Sequence, residues 1–245
     1  IDSKAHAVAT EEDLPKAGEF LPIDTEFVCT APEITKTLAN GMTVVVRPLQ
    51  YSLGRVSVLR EDGRVLIDDY IHACDPVHDY LTQYSGLSAG DLDPEVSRHS
   101  VAKLKTCYQK LLYLVERGCS FVGHGLAKDF NIVNIVVPQS QIRDTVDLFH
   151  LPRSRKISLR WLVSYLLGHE IQIDTHDSIE DARSAMAIFR KYQQMVTAGD
   201  FDTQLQELYE TGRNNNWESR LELKRLEEEL LKTLDLSQSN DADGN

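Results

Sequence analysis

The chain has 245 residues, 42% hydrophobic and 26% charged, which is the balance of a globular protein with length for one ordinary domain plus tails. Its formal net charge of −12 argues against a broad phosphate-binding surface, so contact with nucleic acid would need positive charge supplied locally, as metal ions supply it. No run of about 18 apolar residues exists to span a membrane as a helix.

Cys29, Cys74, Cys107 and Cys119 form no CxxC pair and stand apart from any histidine cluster. That counts against zinc and suits a reducing, intracellular compartment. The chain opens on Ile1 with a polar stretch that has no apolar signal core, and the expectation is a piece of a longer protein. Residues 1–17 are expected to be disordered. A strand is predicted over Glu19–Val28, with further strands at Thr43–Arg47, Arg55–Glu61 and Arg64–His72. Asp62–Gly63 is a hairpin signal between the last two, so this half reads as an antiparallel meander. Apolar spacing at Val101, Leu104, Tyr108, Leu111, Leu112 and Val115 predicts a helix over Val101–Arg117. Ser120–Val122 reads as a short strand, Lys128–Val137 as a helix stopped by Pro138, and Ile142–Leu148 as a strand. Leu159–Leu167 and Ser178–Met195 read as helices. From Trp217 to Leu236 a narrow leucine stripe among Glu and Lys predicts a tail helix, packed on its own domain, solvated, or docking a partner. There is no internal repeat.

The chemistry-bearing residues are acids in apolar settings. In Ile23–Asp24–Thr25–Glu26–Phe27–Val28, strand alternation puts Asp24 and Glu26 on one face. Two adjacent carboxylates raise each other's pKa unless a cation lies between them. Asp129 shares a helix face with Ile132, Val133 and Val136, and Asp181 with Ala185, Ile188 and Tyr192. An acid near a helix start is otherwise explained by the helix dipole, but acids are seldom buried without a partner or a metal. His176, about one turn before Asp181, has the side chain whose ordinary pKa suits a general base. Together Asp24, Glu26, Asp129 and Asp181 are a hard-oxygen donor set for two divalent ions, Mg²⁺ or Mn²⁺, with His176 as the base.

The D-x-E strand, the later helix Asp and the H-x4-D motif resemble the histidine-containing branch of the DEDD exonuclease superfamily. The runs Asp79–Leu87, Phe121–Leu126, Asp129–Phe130, Asp144–Val146, Leu148–His150, Ile157–Arg160 and Thr175–Ala182 are similar to the C-terminal nuclease domains of catalytic subunits of cytoplasmic poly(A) nuclease deadenylase complexes. The likeness covers about Gly18 to Trp217. It implies an α/β, RNase H-like fold: a mixed five-stranded sheet with helices on both faces. It implies 3′→5′ removal of AMP from mRNA poly(A) tails in the cytoplasm, with a pseudokinase adaptor subunit as partner and poly(A)-binding protein reached through it. It also implies substrate contacts at Thr25, Phe27, Tyr84, Ser85, Gly86 and Leu126, in which Tyr84 stacks on a base and Gly86 permits close approach; Ser85–Gly86 alternatively reads as a helix-ending turn, and Leu126 as core packing.

The expected organisation is a disordered segment over 1–17, an exonuclease domain over 18–212, and an acidic helix with a disordered tail over 213–245. Two features depart from the family pattern. Pro22 interrupts a strand that should be central, so that pairing would begin after it. The tail after Trp217 has no counterpart. Rival readings remain. A phosphohydrolase read from His176–Asp177 would need histidines paired on helices, and His72, His99, His124 and His150 show no such pairing. A related nuclease for DNA or short RNA would share the site, and an RNA-binding or scaffold module would share the fold; turnover and substrate preference discriminate them.

Overall fold

The computed structural model describes residues 14–226. Its centre is β1 (Phe20–Ala31), which pairs antiparallel with β4 (Gln50–Leu59) and parallel with β7 (Ser120–Gly123). Outward from β4 lie antiparallel β5 (Val65–Ile71) and then parallel β6 (Val101–Ala102); outward from β7 lies parallel β8 (Ile142–Asp144). The expected mixed sheet is present with one strand more than expected, because Val101–Ala102 pairs with Tyr70–Ile71 and the following helix, α2 (Leu104–Glu116), starts only after it. The expected meander is also broken: β2 (Ile34–Thr37) and β3 (Thr43–Arg47) form a separate hairpin, and β4 returns to β1.

Two faces of β1 bury two different layers. Leu21 and Ile23 join Val56, Val58, Leu111, Phe121 and Phe130 in the core beneath α2 and α3 (Leu126–Val133). On the other face Val122, with Phe20 packed beside it, meets Met186 and Phe189 of α6 (Ser178–Ala198). α5 (Leu159–Leu167) and α7 (Phe201–Asn214) pack on α6 through Trp161, Leu162, Ile188, Leu208 and Tyr209. Residues Phe201, Leu205, Leu208, Tyr209 and Gly212 recur at helical spacing, the signal that predicts α7 and that the reading by elements passed over. Two short helices complete the set, α1 (Thr82–Ser85) and α4 (Thr145–Leu148).

Pro22 sits where its missing N–H does least harm. β1 pairs with β7 through Phe20, Leu21 and Pro22, and the ladder with β4 begins only at Ile23. Past Pro22 the β7 side of β1 carries no strand, because β7 ends at Gly123 and turns into α3. Gly123 permits that turn: a Cβ there would lie 2.8 Å from the Ile23 carbonyl oxygen and 2.3 Å from Leu126. The chain is again helical over 220–226; the rest of the predicted tail helix lies outside the described residues. Trp217, where that helix was expected to start, instead has φ 62° and packs on Trp161 and Tyr209.

Candidate active site

Asp24 and Glu26 leave β1 on the face covered by α6, as alternation requires. Their partners across the ladder are Ser57 and Arg55, and the Ser57 hydroxyl lies 2.6 Å from that of Ser178 at the start of α6. Asp177 caps α6, accepting from the Ile179 and Glu180 amides at 2.8 and 3.4 Å. The buried Arg55 guanidinium grips Asp68 at 2.7 and 3.2 Å and faces Asp177 at 3.6 Å, tying β4 and β5 to the same helix start. One helical turn further, Asp181 points back at β1. Ligand oxygens of Asp24, Glu26 and Asp181 all lie within 4.8 Å of one another.

Asp129 arrives from the opposite face of β1. It lies in the first turns of α3, and its Oδ1 accepts a short hydrogen bond from the Thr25 hydroxyl. α3 begins two residues earlier than its own sequence predicts because Asp144, from β8, accepts the Gly125 and Leu126 amides at 2.8 Å each. The same carboxylate accepts from Val146 at 2.9 Å and starts α4, so the strand expected over Ile142–Leu148 stops at Asp144. At its other end α3 stops at Asn134, whose φ of 58° is the left-handed cap, ahead of Pro138.

Crowding sets the electrostatics. Burial, then the charges of Asp129, Glu26 and Asp181, push the Asp24 carboxyl well above the ordinary range. Burial and then Asp181 push Glu26 up to about 9, with the Arg55 cation pulling the other way. Burial raises Asp129 to about 6 against the opposing hydrogen bond from Thr25. Glu26 Oε1 and Asp181 Oδ1 are buried and have no hydrogen-bond partner. Unpartnered anionic oxygens of this kind are costly unless a cation fills the space between them, so the residues fit divalent metal ions.

These groups open into a cleft of about 270 Å³ lined by Asp24, Thr25, Glu26, Phe27, Tyr84, His124, Lys128, Leu159, Gln172, His176 and Asp181. His176 Nδ1 lies 3.5 Å from Asp181 Oδ2, and the exposed Tyr84 ring stands edge-on to the His176 ring with centroids 6.1 Å apart. Of the other expected contact residues, Phe27 lines the cleft with Lys128 Nζ 4.2 Å over its ring, and Thr25 lines it while bonded to Asp129. Ser85 is buried and its hydroxyl serves its own turn, donating to the Tyr80 carbonyl at 2.6 Å. Gly86 meets the His176 backbone: a Cβ would lie 2.6 Å from the His176 carbonyl oxygen. Leu126 takes the core-packing alternative, with its side chain 1% exposed under Gly123. Lys128, Gln172 and, beside the cleft, Tyr51 with Lys128 Nζ 5.0 Å over its ring carry no mark of the site in their own stretches of sequence, except that Lys128 adjoins Asp129.

A mixed sheet whose central strand carries a carboxylate pair midway along it, joined by acids from the first turns of two helices, presents a hard-oxygen donor set of the kind that holds divalent cations. The chain belongs to the exonuclease family, whose model RNase_T matches residues 21–189. Among its relatives is the Schizosaccharomyces pombe "PAN2-PAN3 deadenylation complex catalytic subunit pan2", 46% identical over 217 residues, or 86% of this chain and 20% of that one. The Homo sapiens subunit of the same name is 44% identical over 213 residues, 84% of this chain and 18% of that one. This chain therefore spans about a fifth of the length of these curated relatives. Among solved structures, the Saccharomyces cerevisiae apo Pan2 pseudoubiquitin hydrolase–RNA exonuclease module in complex with AACCAA RNA is similar at TM-score 0.78 and 39% identity, covering 85% of this chain and 34% of that one. The Neurospora crassa Pan2 catalytic unit (protease and nuclease domain) follows at TM-score 0.71 and 40% identity, covering 85% and 33%. Among the described residues no helix is long and apolar enough to cross a membrane.

Proposed function

We propose that this chain is the nuclease part of a deadenylase, removing AMP one residue at a time from the 3′ end of poly(A) RNA. The observation that carries the reading is the convergence of Asp24, Glu26 and Asp181 within 4.8 Å, with Glu26 Oε1 and Asp181 Oδ1 buried and unpartnered, in a member of the exonuclease family. Asp24, Glu26 and Asp181 would hold one divalent ion, and Asp24 with Asp129 a second, Mg²⁺ or Mn²⁺. When bound, such ions would supply the positive charge that makes water a nucleophile and steadies the leaving 3′ oxygen.

The remaining work falls to side chains. His176 turns Nδ1 toward Asp181, which leaves Nε2 to take the proton of the attacking water. Thr25, held by Asp129, fixes the strand between the two acids. Phe27 and Tyr84 offer ring faces to the terminal bases, and Ser85 and Gly86 hold Tyr84 in its turn against the His176 backbone. The names of the relatives support assembly into a PAN2-PAN3-type complex; we further propose that the partner subunit is a pseudokinase adaptor that brings poly(A)-binding protein, in the cytoplasm. Free Cys29, Cys74, Cys107 and Cys119 are compatible with that reducing compartment.

The test uses 5′-labelled oligoadenylate with Mg²⁺. The chain shortens it stepwise, and EDTA or Asp24→Ala abolishes shortening; turnover that survives either one removes the metal mechanism. Homopolymers of A, C and U compared under single turnover should favour A. Equal rates would make the chain a general 3′ exonuclease.

A further inference from the structure

We infer that Gln172 is a positioning residue that fixes which oxygen of Asp181 faces the metal site. The inference rests on the reading of Asp181 as a metal ligand. The Gln172 side-chain amide donates to Asp181 Oδ2 at 2.7 Å, and His176 Nδ1 faces the same oxygen at 3.5 Å. Oδ1 is the oxygen left buried without a hydrogen-bond partner, in a carboxylate that comes within 4.8 Å of Asp24 and Glu26. A hydrogen bond on one oxygen opposes rotation of the carboxylate, which favours one orientation of the second oxygen before any ion arrives. Outer hydrogen bonds of this kind orient metal ligands generally.

The backbone is built for the task. Gln172 has φ 54°, the left-handed region that side chains other than Asn and Asp rarely adopt. The two residues before it are anchored. Ile171 is 2% exposed in the α5–α6 core, and the Glu170 carboxylate accepts from the Ser164 hydroxyl at 2.7 Å and the Leu221 amide at 3.1 Å. The Gln172 amide N–H donates to Glu180 Oε2 at 3.2 Å. Glu180 thus ties the loop to the helix that carries Asp181. A strained conformation kept at a cleft by so many contacts places one particular side chain, and here that side chain is the amide on Asp181.

Two variants separate this role from a structural one. Gln172→Met keeps the size and the backbone strain but removes the donor; Gln172→Gly removes the donor and the strain together. In both, calorimetric Mn²⁺ affinity of the metal-stripped chain and kcat on oligoadenylate should fall by about 10- to 100-fold with KM little changed. Gln172→Gly should melt no lower than the wild type, a combination that loss of a structural contact would not produce. Mn²⁺ affinity within about twofold of wild type in both folded variants would overturn the inference. Asp181→Asn is measured beside them. If it also binds Mn²⁺ normally, the ligand reading falls too; if it alone loses the ion, only the role of Gln172 falls.

Discussion

Glu26 shows how one residue records the purpose of its surroundings. Its carboxyl is raised from 4.5 to about 9 by burial and by Asp181, so between those values the folded chain keeps a proton that the unfolded chain has released. Folding stability then falls as pH rises, because the native state binds more protons. The contribution is whole below about 4.5 and is lost as pH passes about 9. Metal-free protein in EDTA is expected to melt lower at pH 9 than at pH 6, and Glu26→Gln to show a flatter profile across that window. Parallel profiles for the two proteins would mean that Glu26 is not the group responsible. Added Mn²⁺ should reverse the trend in the wild type, since a cation between the acids favours their charged forms.

At the scale of elements, the site lies where the middle of β1 meets the first turns of α3 and α6. β1 contributes two acids from one face and, through Thr25, the anchor of a third on the other. α6 is seated by Ser57, Arg55 and its cap Asp177 before Asp181 is reached. The turn α1 supports the His176 loop through Gly86, which has φ 65° and no room for a Cβ against the His176 carbonyl. Gly86→Ala should cost about 1–2 kcal/mol in folding stability. By displacing the turn beneath His176 it should also lower kcat by roughly 10- to 100-fold, as small misplacements of catalytic groups do. Urea unfolding and single-turnover rates measure the two separately; a rate that stays at wild type would show that α1 does not set the position of His176.

For the whole molecule, the boundary of the folded unit is the open quantity. The sequence ends the nuclease domain at 212, whereas α7 runs to Asn214 and Trp217 folds back over Gly212, its ring where a Cβ would stand. Trp217 lies 5.0 Å from Trp161 and 5.4 Å from Tyr209 between ring centroids, with Arg155 4.9 Å over its ring. A chain cut after Gly212 should therefore lose about 3 kcal/mol of stability by urea unfolding, the scale of removing a large aromatic ring from a core. Trp217→Ala in the uncut chain should reproduce most of that loss. A cut chain as stable as the whole would return the boundary to 212.

Local pattern along the chain was enough to say what each short stretch must do. β3 and α5 match their predicted bounds to the residue, and the acids of Asp24–Glu26, Asp129 and Asp181 stand out because carboxylates on apolar faces need a reason. Periodicity and charge in an apolar setting are local properties, readable in a line of text. How those stretches meet became visible with the fold. Asp144 starts α3 from another strand, and Val101–Ala102 pairs with β5 instead of lengthening a helix. Gln172 reaches Asp181 from a loop with no pattern of its own. Each of these depends on a hydrogen bond between residues brought together by packing, and such partners leave no periodic trace in either stretch of sequence.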